Sequence, residues 1–237
     1  MPILITGGAG LLGAAVVRLL LDIGEIRPVV MDISKAPDRL TDVLDQTEYI
    51  TADLGNFNKM LSVIQKAKPN VIYHIGAILG QACEEDPAEA IRINALGTFN
   101  ILEAARLFQI PKVLFASSAA TFGLDMQDST LTDNSLQRPA TFYGVTKLFS
   151  EGTGLFFKRK YGIDFRSVRY PSIVGPGARE GGVVNYTSAM IEESARGNPY
   201  TVNVAPETKV SIVYTHDAAR AMVELAEAPA ENIKSQF

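Results

Sequence analysis

The chain has 237 residues, enough for one large α/β domain with a full core, or such a domain plus a small lobe. With 47% hydrophobic and 20% charged residues it has the make-up of an ordered globular protein, and a net charge of −4 argues against nucleic acid as a main partner. Cys83 is the only cysteine, which excludes an internal disulfide and fits a reducing, cytoplasmic setting, while His74 and His216 have no cysteine at ligand spacing, so no metal site is expected.

Taken in chain order, apolar runs alternate with amphipathic stretches. Pro2 to Thr6 reads as a strand and Leu11 to Asp22 as the helix after it. Arg18 and Asp22 interrupt this apolar run, and glycines rather than a basic leader precede it, so it is read as neither a signal peptide nor a membrane span. Arg27 to Asp32 and Glu48 to Asp53 follow as strands, then a helix from Asn56 to Ala67 and a strand from Asn70 to His74. Asp86-Pro87 opens a long helix to Phe108. Lys112 to Ser117 is a strand, Phe142 to Tyr161 a helix and Asp164 to Tyr170 a strand.

This alternation predicts an α/β fold: a Rossmann-type, doubly wound parallel sheet with helices on both faces and ligands at its carboxyl edge. Residues 1–170 form the main domain in this reading. Residues 171–237 form a small lobe that partly returns to it, with helices at Asn185 to Arg196 and His216 to Ala226 and strands at Tyr200 to Val204 and Lys209 to Tyr214.

The turn after the first strand, Thr6-Gly7-Gly8-Ala9-Gly10-Leu11-Leu12-Gly13, fits both G-x-G-x-x-G and T-G-x-x-G-x-x-G. Such a turn lets backbone approach a pyrophosphate and presents the free amides and positive end of the next helix to it. About 20 residues on, Asp32 ends the second strand, where a carboxylate accepts from a ribose 2′-hydroxyl and repels a 2′-phosphate; NAD is therefore favoured over NADP. Lys35 and Arg39 lie close enough in sequence to answer a phosphate, or are solvated. Asp53, before Leu54, either meets the adenine edge or caps the helix starting near Asn56.

Tyr143 and Lys147 stand one helical turn apart, on one face. Tyrosine, with an ordinary pKa of about 10, is a poor base at neutral pH, and a neighbouring ammonium favours its phenolate. Ser118 lies one strand-and-loop unit earlier. The three suit proton transfer coupled to hydride transfer at a secondary alcohol or ketone. His74 ends a buried strand and is read as structural, His216-Asp217 as a helix start, and Arg169 as an anchor for the following loop.

These residues, with His74-Ile75-Gly76-Ala77, Asn94, Ser117-Ser118, Arg169-Tyr170-Pro171 and Val174-Gly175-Pro176-Gly177, make the chain resemble the extended short-chain dehydrogenase/reductases, the NAD-dependent epimerase/dehydratase group, along nearly its whole length. The resemblance implies that Ser118, Tyr143 and Lys147 are catalytic. It implies that Gly7, Gly10, Leu11, Leu12, Gly13, Asp32, Asp53, Leu54 and Ala77 line the cofactor with Tyr143 and Lys147, and that Tyr170 and Ile173 lie near the nicotinamide. Gln137-Arg138-Pro139, the run Tyr161 to Ser167 and Ala205 to Thr208 are similar to the short-chain L-threonine 3-dehydrogenase branch.

Where that branch has substrate-holding hydroxyls, this chain has Gly80, Val183 and Val184, which with Ser118 are the expected substrate positions. A small-molecule substrate altered from threonine is therefore expected. Relatives continue further, so the lobe is expected to be minimal or cut short after Phe237. They also dimerise through the helices matching Pro87 to Phe108 and Phe142 to Tyr161, which implies a homodimer. Three readings stay open: a dehydrogenase of a small hydroxy compound, a nucleotide-sugar epimerase or dehydratase that retains NAD, and a dinucleotide-binding regulator without chemistry, against which the intact Ser118, Tyr143 and Lys147 argue.

Overall fold

The computed structural model describes residues 2–24, 27–123, 130–178 and 186–233. β1 (Ile3–Thr6), β2 (Val29–Asp32), β3 (Glu48–Thr51), β4 (Val71–His74), β5 (Lys112–Ser118) and β6 (Asp164–Tyr170) form a six-stranded parallel sheet in the order β3-β2-β1-β4-β5-β6. The order reverses between β1 and β4, which opens a crevice at the carboxyl edge. β5 and β6 pair over their full length, from Lys112↔Asp164 to Ser118↔Tyr170.

The helices are α1 (Leu11–Ile23), α2 (Phe57–Ala67), α3 (Gly80–Glu85), α4 (Pro87–Ala90), α5 (Gly97–Leu107), α6 (Phe142–Tyr161), α7 (Tyr186–Ala195) and α8 (Thr215–Glu227). Strand side chains alternate between two cores. Leu4, Met31, Ile72, Val113, Phe115 and Phe165 pack against Met60 and Ile64 of α2, Ile101 and Leu102 of α5, and Phe157 of α6. On the other face Ile5, Val30, Tyr73, Leu114 and Ala116 meet Val16, Val17 and Leu20 of α1 with Ala218 and Met222 of α8. Each large aliphatic side chain so buried contributes roughly 1.5–3 kcal/mol.

Four local expectations change. The span Pro87 to Phe108 is not a uniform α-helix: Ile91–Leu96, between α4 and α5, is π-helical. A short helix, α3, fills the stretch before Asp86 and buries Cys83. Tyr200 to Val204 forms no strand, and Lys209 to Tyr214 shortens to β8 (Ile212–Tyr214). The cause is partner supply: β8 pairs in parallel with β7 (Ser172–Val174), which is itself only three residues long. α8 returns to the main sheet and packs beside α1. Among the described residues no helix is long and apolar enough to cross a membrane.

Phe157 fixes α6 to the sheet, with its ring edge-on to Phe99 at 5.8 Å and tilted on Tyr161 at 5.2 Å. Phe157→Ala should destabilise the protein by about 3–5 kcal/mol, read as a lowered urea midpoint with little change in slope.

Candidate active site and cofactor cradle

Gly7 sits at φ +70°, and a Cβ on it would lie 2.5 Å from the Cα of Gly76, so only glycine lets the exits of β1 and β4 touch. The turn is set by bonds from the Gly7 amide to the Met31 carbonyl (2.8 Å) and from the Gly10 amide to the Gly7 carbonyl (3.1 Å). Gly10 then caps α1 without a side chain, and the first turn of α1 holds no acidic residue. The leading amides of Leu11, Leu12 and Gly13 and the positive helix end thus face the crevice without an internal anion. The Leu12 side chain is core, so its share of a cofactor site is backbone.

Asp32 is held at both oxygens, Oδ2 accepting from the Ala9 amide (2.9 Å) and Oδ1 from the Ser34 amide (3.0 Å). A carboxylate has acceptor positions beyond these two, which suits it to ribose hydroxyls. Lys35 is exposed. Arg39 donates instead to the Gly177 carbonyl, whose own residue gives its amide to Glu192 of α7 at 2.6 Å.

Of the two roles open to Asp53, the helix cap falls away. Asn56 caps α2, accepting from the Lys59 amide at 3.0 Å. Asp53 accepts from the Gly55 amide and from Arg92 Nη1, both at 2.8 Å. Arg92, which the sequence reading missed, also binds Glu89. Leu54 is buried, and its side chain touches the Gly76 position, where an added Cβ would come within 2.9 Å of Leu54 Cδ1.

A buried polar seam runs beneath this crevice. Thr6 Oγ1 accepts from the amides of Ile75 and Gly76 and bonds His74 Nδ1 at 2.8 Å. His74 Nε2 meets Thr98 Oγ1 at 3.0 Å, and Thr98 donates to the Asn94 carbonyl at 2.6 Å. Burial drives the His74 pKa down to about 3, so the imidazole is neutral and structural. Asn94, on the π-helical stretch, accepts from the Ile78 amide (2.8 Å) and donates to the Ile78 carbonyl (3.0 Å) and Thr146 (3.2 Å). It thereby ties the segment holding half-buried Ala77 to α6.

α6 carries Tyr143 and Lys147 to the carboxyl edge. Thr141 caps it, accepting from the Gly144 amide at 3.1 Å, and Glu84 of α3 accepts from the Phe142 amide at 2.6 Å. Gly144 has no room for a side chain, because the Ala120 carbonyl lies against it. This close approach brings Tyr143 near enough to Ser118 for the serine hydroxyl to favour the phenolate. Lys147 is 3% exposed, donates from Nζ to the Ala116 carbonyl at 2.7 Å, and stands 5.6 Å from the Tyr143 ring centroid.

Burial pushes Lys147 down to about 8, with Cys83 and Glu151 acting the other way. It pushes Tyr143 up, Cys83 adding to this and the Ser118 bond opposing it. The protein by itself therefore keeps the phenol protonated. A cationic ring alongside would favour the phenolate.

The other expected positions divide. Tyr170 is turned into the second core, donating to the Ala218 carbonyl at 2.7 Å, and half-buried Ile173 packs on the edge of that core. Gly80 opens α3 at φ +37°, and α3 abuts the start of α6 through Glu84. Val183 and Val184 lie outside the described residues. Arg169 was expected to anchor the loop that follows it; the partners seen instead are Glu151 of α6 at 2.8 Å, one turn beyond Lys147 on the same helix, and the Asp133 carbonyl. Among the described residues no group of three or more His, Cys, Asp or Glu gathers to hold a metal.

Comparison with known proteins agrees with this geometry. The model of the NAD dependent epimerase/dehydratase family matches residues 3–236. The mitochondrial L-threonine 3-dehydrogenase of Bos taurus is 29% identical over 233 residues, covering 98% of this chain and 61% of its own length. The chain thus spans about three fifths of that relative's length. The structure of L-threonine dehydrogenase from Phytophthora infestans superposes with a TM-score of 0.89 at 30% identity, covering 100% of this chain and 75% of that one. A Thermus thermophilus UDP-glucose 4-epimerase in complex with NAD gives 0.85 at 25% identity, covering 97% and 75%. The glycine turn, the Asp32 carboxylate and Ser118, Tyr143 and Lys147 at the carboxyl edge are thus found on a chain that belongs to the NAD dependent epimerase/dehydratase family.

Proposed function

We propose that the chain is an NAD-dependent oxidoreductase that transfers a hydride at a secondary alcohol of a small substrate, similar to L-threonine 3-dehydrogenase but altered in its substrate contacts. One observation carries this reading: Ser118, Tyr143 and a buried Lys147 come together at the end of β5, on the same carboxyl edge of the sheet that carries the glycine turn.

NAD, when bound, supplies the hydride acceptor. The amides at the start of α1 would hold its pyrophosphate, and Asp32 would accept from its adenosine ribose. Ser118 Oγ orients the substrate oxygen. Tyr143 Oη takes the alcohol proton as the carbon gives up its hydride, and the Lys147 ammonium favours the phenolate that does so. Burial keeps water away from both groups, which strengthens their mutual interaction. Gly80, Val183 and Val184 are the proposed substrate contacts; lacking hydroxyls, they suit a ligand less polar there than threonine. Tyr170 and Ile173 would contribute to the nicotinamide end by backbone alone.

Similarity to UDP-glucose 4-epimerase supports a second reading, in which the hydride is returned to the substrate and NAD stays bound. Residues 1–170 would be the cofactor domain and 171–237 the substrate lobe. A reducing cytoplasm suits the buried thiol of Cys83. A homodimer is proposed from the exposed apolar face of α5 and α6, where Phe99, Val145, Phe149 and Phe156 stand 42%, 44%, 50% and 40% exposed.

NADH absorbance with β-hydroxy amino acids, hydroxy acids and sugars should show net turnover of at least one. Silence across that panel together with interconversion of a UDP-sugar would favour the epimerase. Tyr143→Phe should lower kcat by about 10²–10⁴-fold with NAD affinity nearly unchanged by fluorescence titration. Asp32→Asn should weaken NAD by about 10- to 150-fold, the loss of a charge-assisted bond of roughly 1.5–3 kcal/mol, and narrow the discrimination against NADP. Light scattering should give a dimer mass at micromolar concentration, and Phe149→Asp should give a monomer.

A further inference from the structure

We infer that Glu151 is a positioning residue of the active site: its buried carboxylate fastens the ends of β5 and β6 and the segment 130–141 to the helix that carries Tyr143 and Lys147. The inference rests on the reading of Ser118, Tyr143 and Lys147 as the reacting groups.

Glu151 is fully buried on α6. Its Oε1 accepts from Ser117 Oγ at 2.5 Å and from Arg169 Nε at 2.9 Å. Its Oε2 accepts from Gln137 Nε2 at 3.0 Å and from Arg169 Nη2 at 2.8 Å. The donors come from three separate pieces of chain. Ser117 neighbours Ser118 on β5, Arg169 ends β6, and Gln137 lies just before the cap of α6. Arg169 passes the restraint on, donating to the Asp133 carbonyl at 3.2 Å, with its guanidinium 5.4 Å from the Phe122 ring centroid. Two points of the segment leading to Tyr143, Asp133 and Gln137, are thus pinned through one carboxylate.

Burying an ion pair is a poor route to stability, since desolvation offsets most of the attraction. What a fully hydrogen-bonded pair does supply is fixed direction. Here it fixes the edge at which a substrate must sit between Ser118 and Tyr143.

The charge matters as well as the bonds. The groups facing Lys147 are Tyr143 and Glu151 on its own helix, Cys83 on α3 and His74 on β4. Burial keeps His74 neutral and raises the Cys83 thiol, so that both are uncharged at neutral pH. Glu151 supplies the negative charge that favours the Lys147 ammonium. A glutamine at this position keeps the shape but offers one acceptor oxygen, and turns an amide N–H toward donors.

The test compares Glu151→Gln, the double variant Glu151→Gln/Arg169→Met and Tyr143→Phe with the parent, all as NAD-bound protein. Glu151→Gln should leave NAD affinity within about twofold, speed amide exchange in peptides covering 130–141 at least tenfold, and lower kcat at least tenfold. Loss of the charge lowers the pH at which Lys147 loses its proton, so the alkaline limb of the kcat profile should move to lower pH. The double variant removes the guanidinium that has lost its carboxylate; its melting temperature should recover while loop exchange stays fast and kcat stays low. Parent-like exchange and kcat in Glu151→Gln, or their return along with stability in the double variant, would overturn the inference. If Tyr143→Phe turns over at the parent rate, the assignment of reacting groups fails instead, and the exchange data still decide whether Glu151 holds the segment.

Discussion

The hydrogen bond from Lys147 Nζ to the Ala116 carbonyl holds α6 at one height on the carboxyl edge of the sheet, and the chemistry is arranged around it. An ammonium in an apolar setting must find an acceptor, and here the acceptor is strand backbone two residues before Ser118. Lys147 thus acts as a peg between helix and strand, and the same bond holds its ammonium 5.6 Å from the Tyr143 ring centroid. The Gly144 position, pressed against the Ala120 carbonyl, shows how little slack the peg leaves.

The cofactor side is built on a different principle. There the polar groups are mostly backbone, and the side chains that matter either withdraw, as glycine does at Gly7, or hold still, as Asp32 does between the Ala9 and Ser34 amides. An amide array shaped by packing presents its donors with little conformational entropy left to lose on binding. The wall that recognises the cofactor is therefore stiff. The Gly177 turn is joined to the opposite wall through Arg39.

What could be read directly from the chain was whatever repeats or lies close in sequence. The strands from Ile3 to Tyr170, the glycine turn, and Tyr143 with Lys147 on one helical turn are all local patterns, and those six strands and α6 lie within a few residues of their expected places. The π-helical stretch Ile91–Leu96 was not legible, because its cause is tertiary: Asn94 must reach both Ile78 and Thr146. Arg92 on Asp53 and Glu151 on Arg169 were missed for the same reason, since neither pairing leaves a mark at short spacing. The resemblance that placed Tyr170 by the cofactor carried a position but not a side-chain direction, and the ring's bond to Ala218 decided the direction.

The seam under the cradle has a handedness of its own. Thr98 gives its only hydroxyl hydrogen to the Asn94 carbonyl, so it must accept from His74, which assigns the ring proton to Nε2. Nδ1 is then an acceptor, and Thr6 must donate to it while accepting from Ile75 and Gly76. Every donor along the line points away from the cradle. With the imidazole neutral near neutral pH, the order of donors is set from Thr6 through His74 to Thr98 and the Asn94 carbonyl, and this fixes the tautomer of the ring buried beneath the glycine turn.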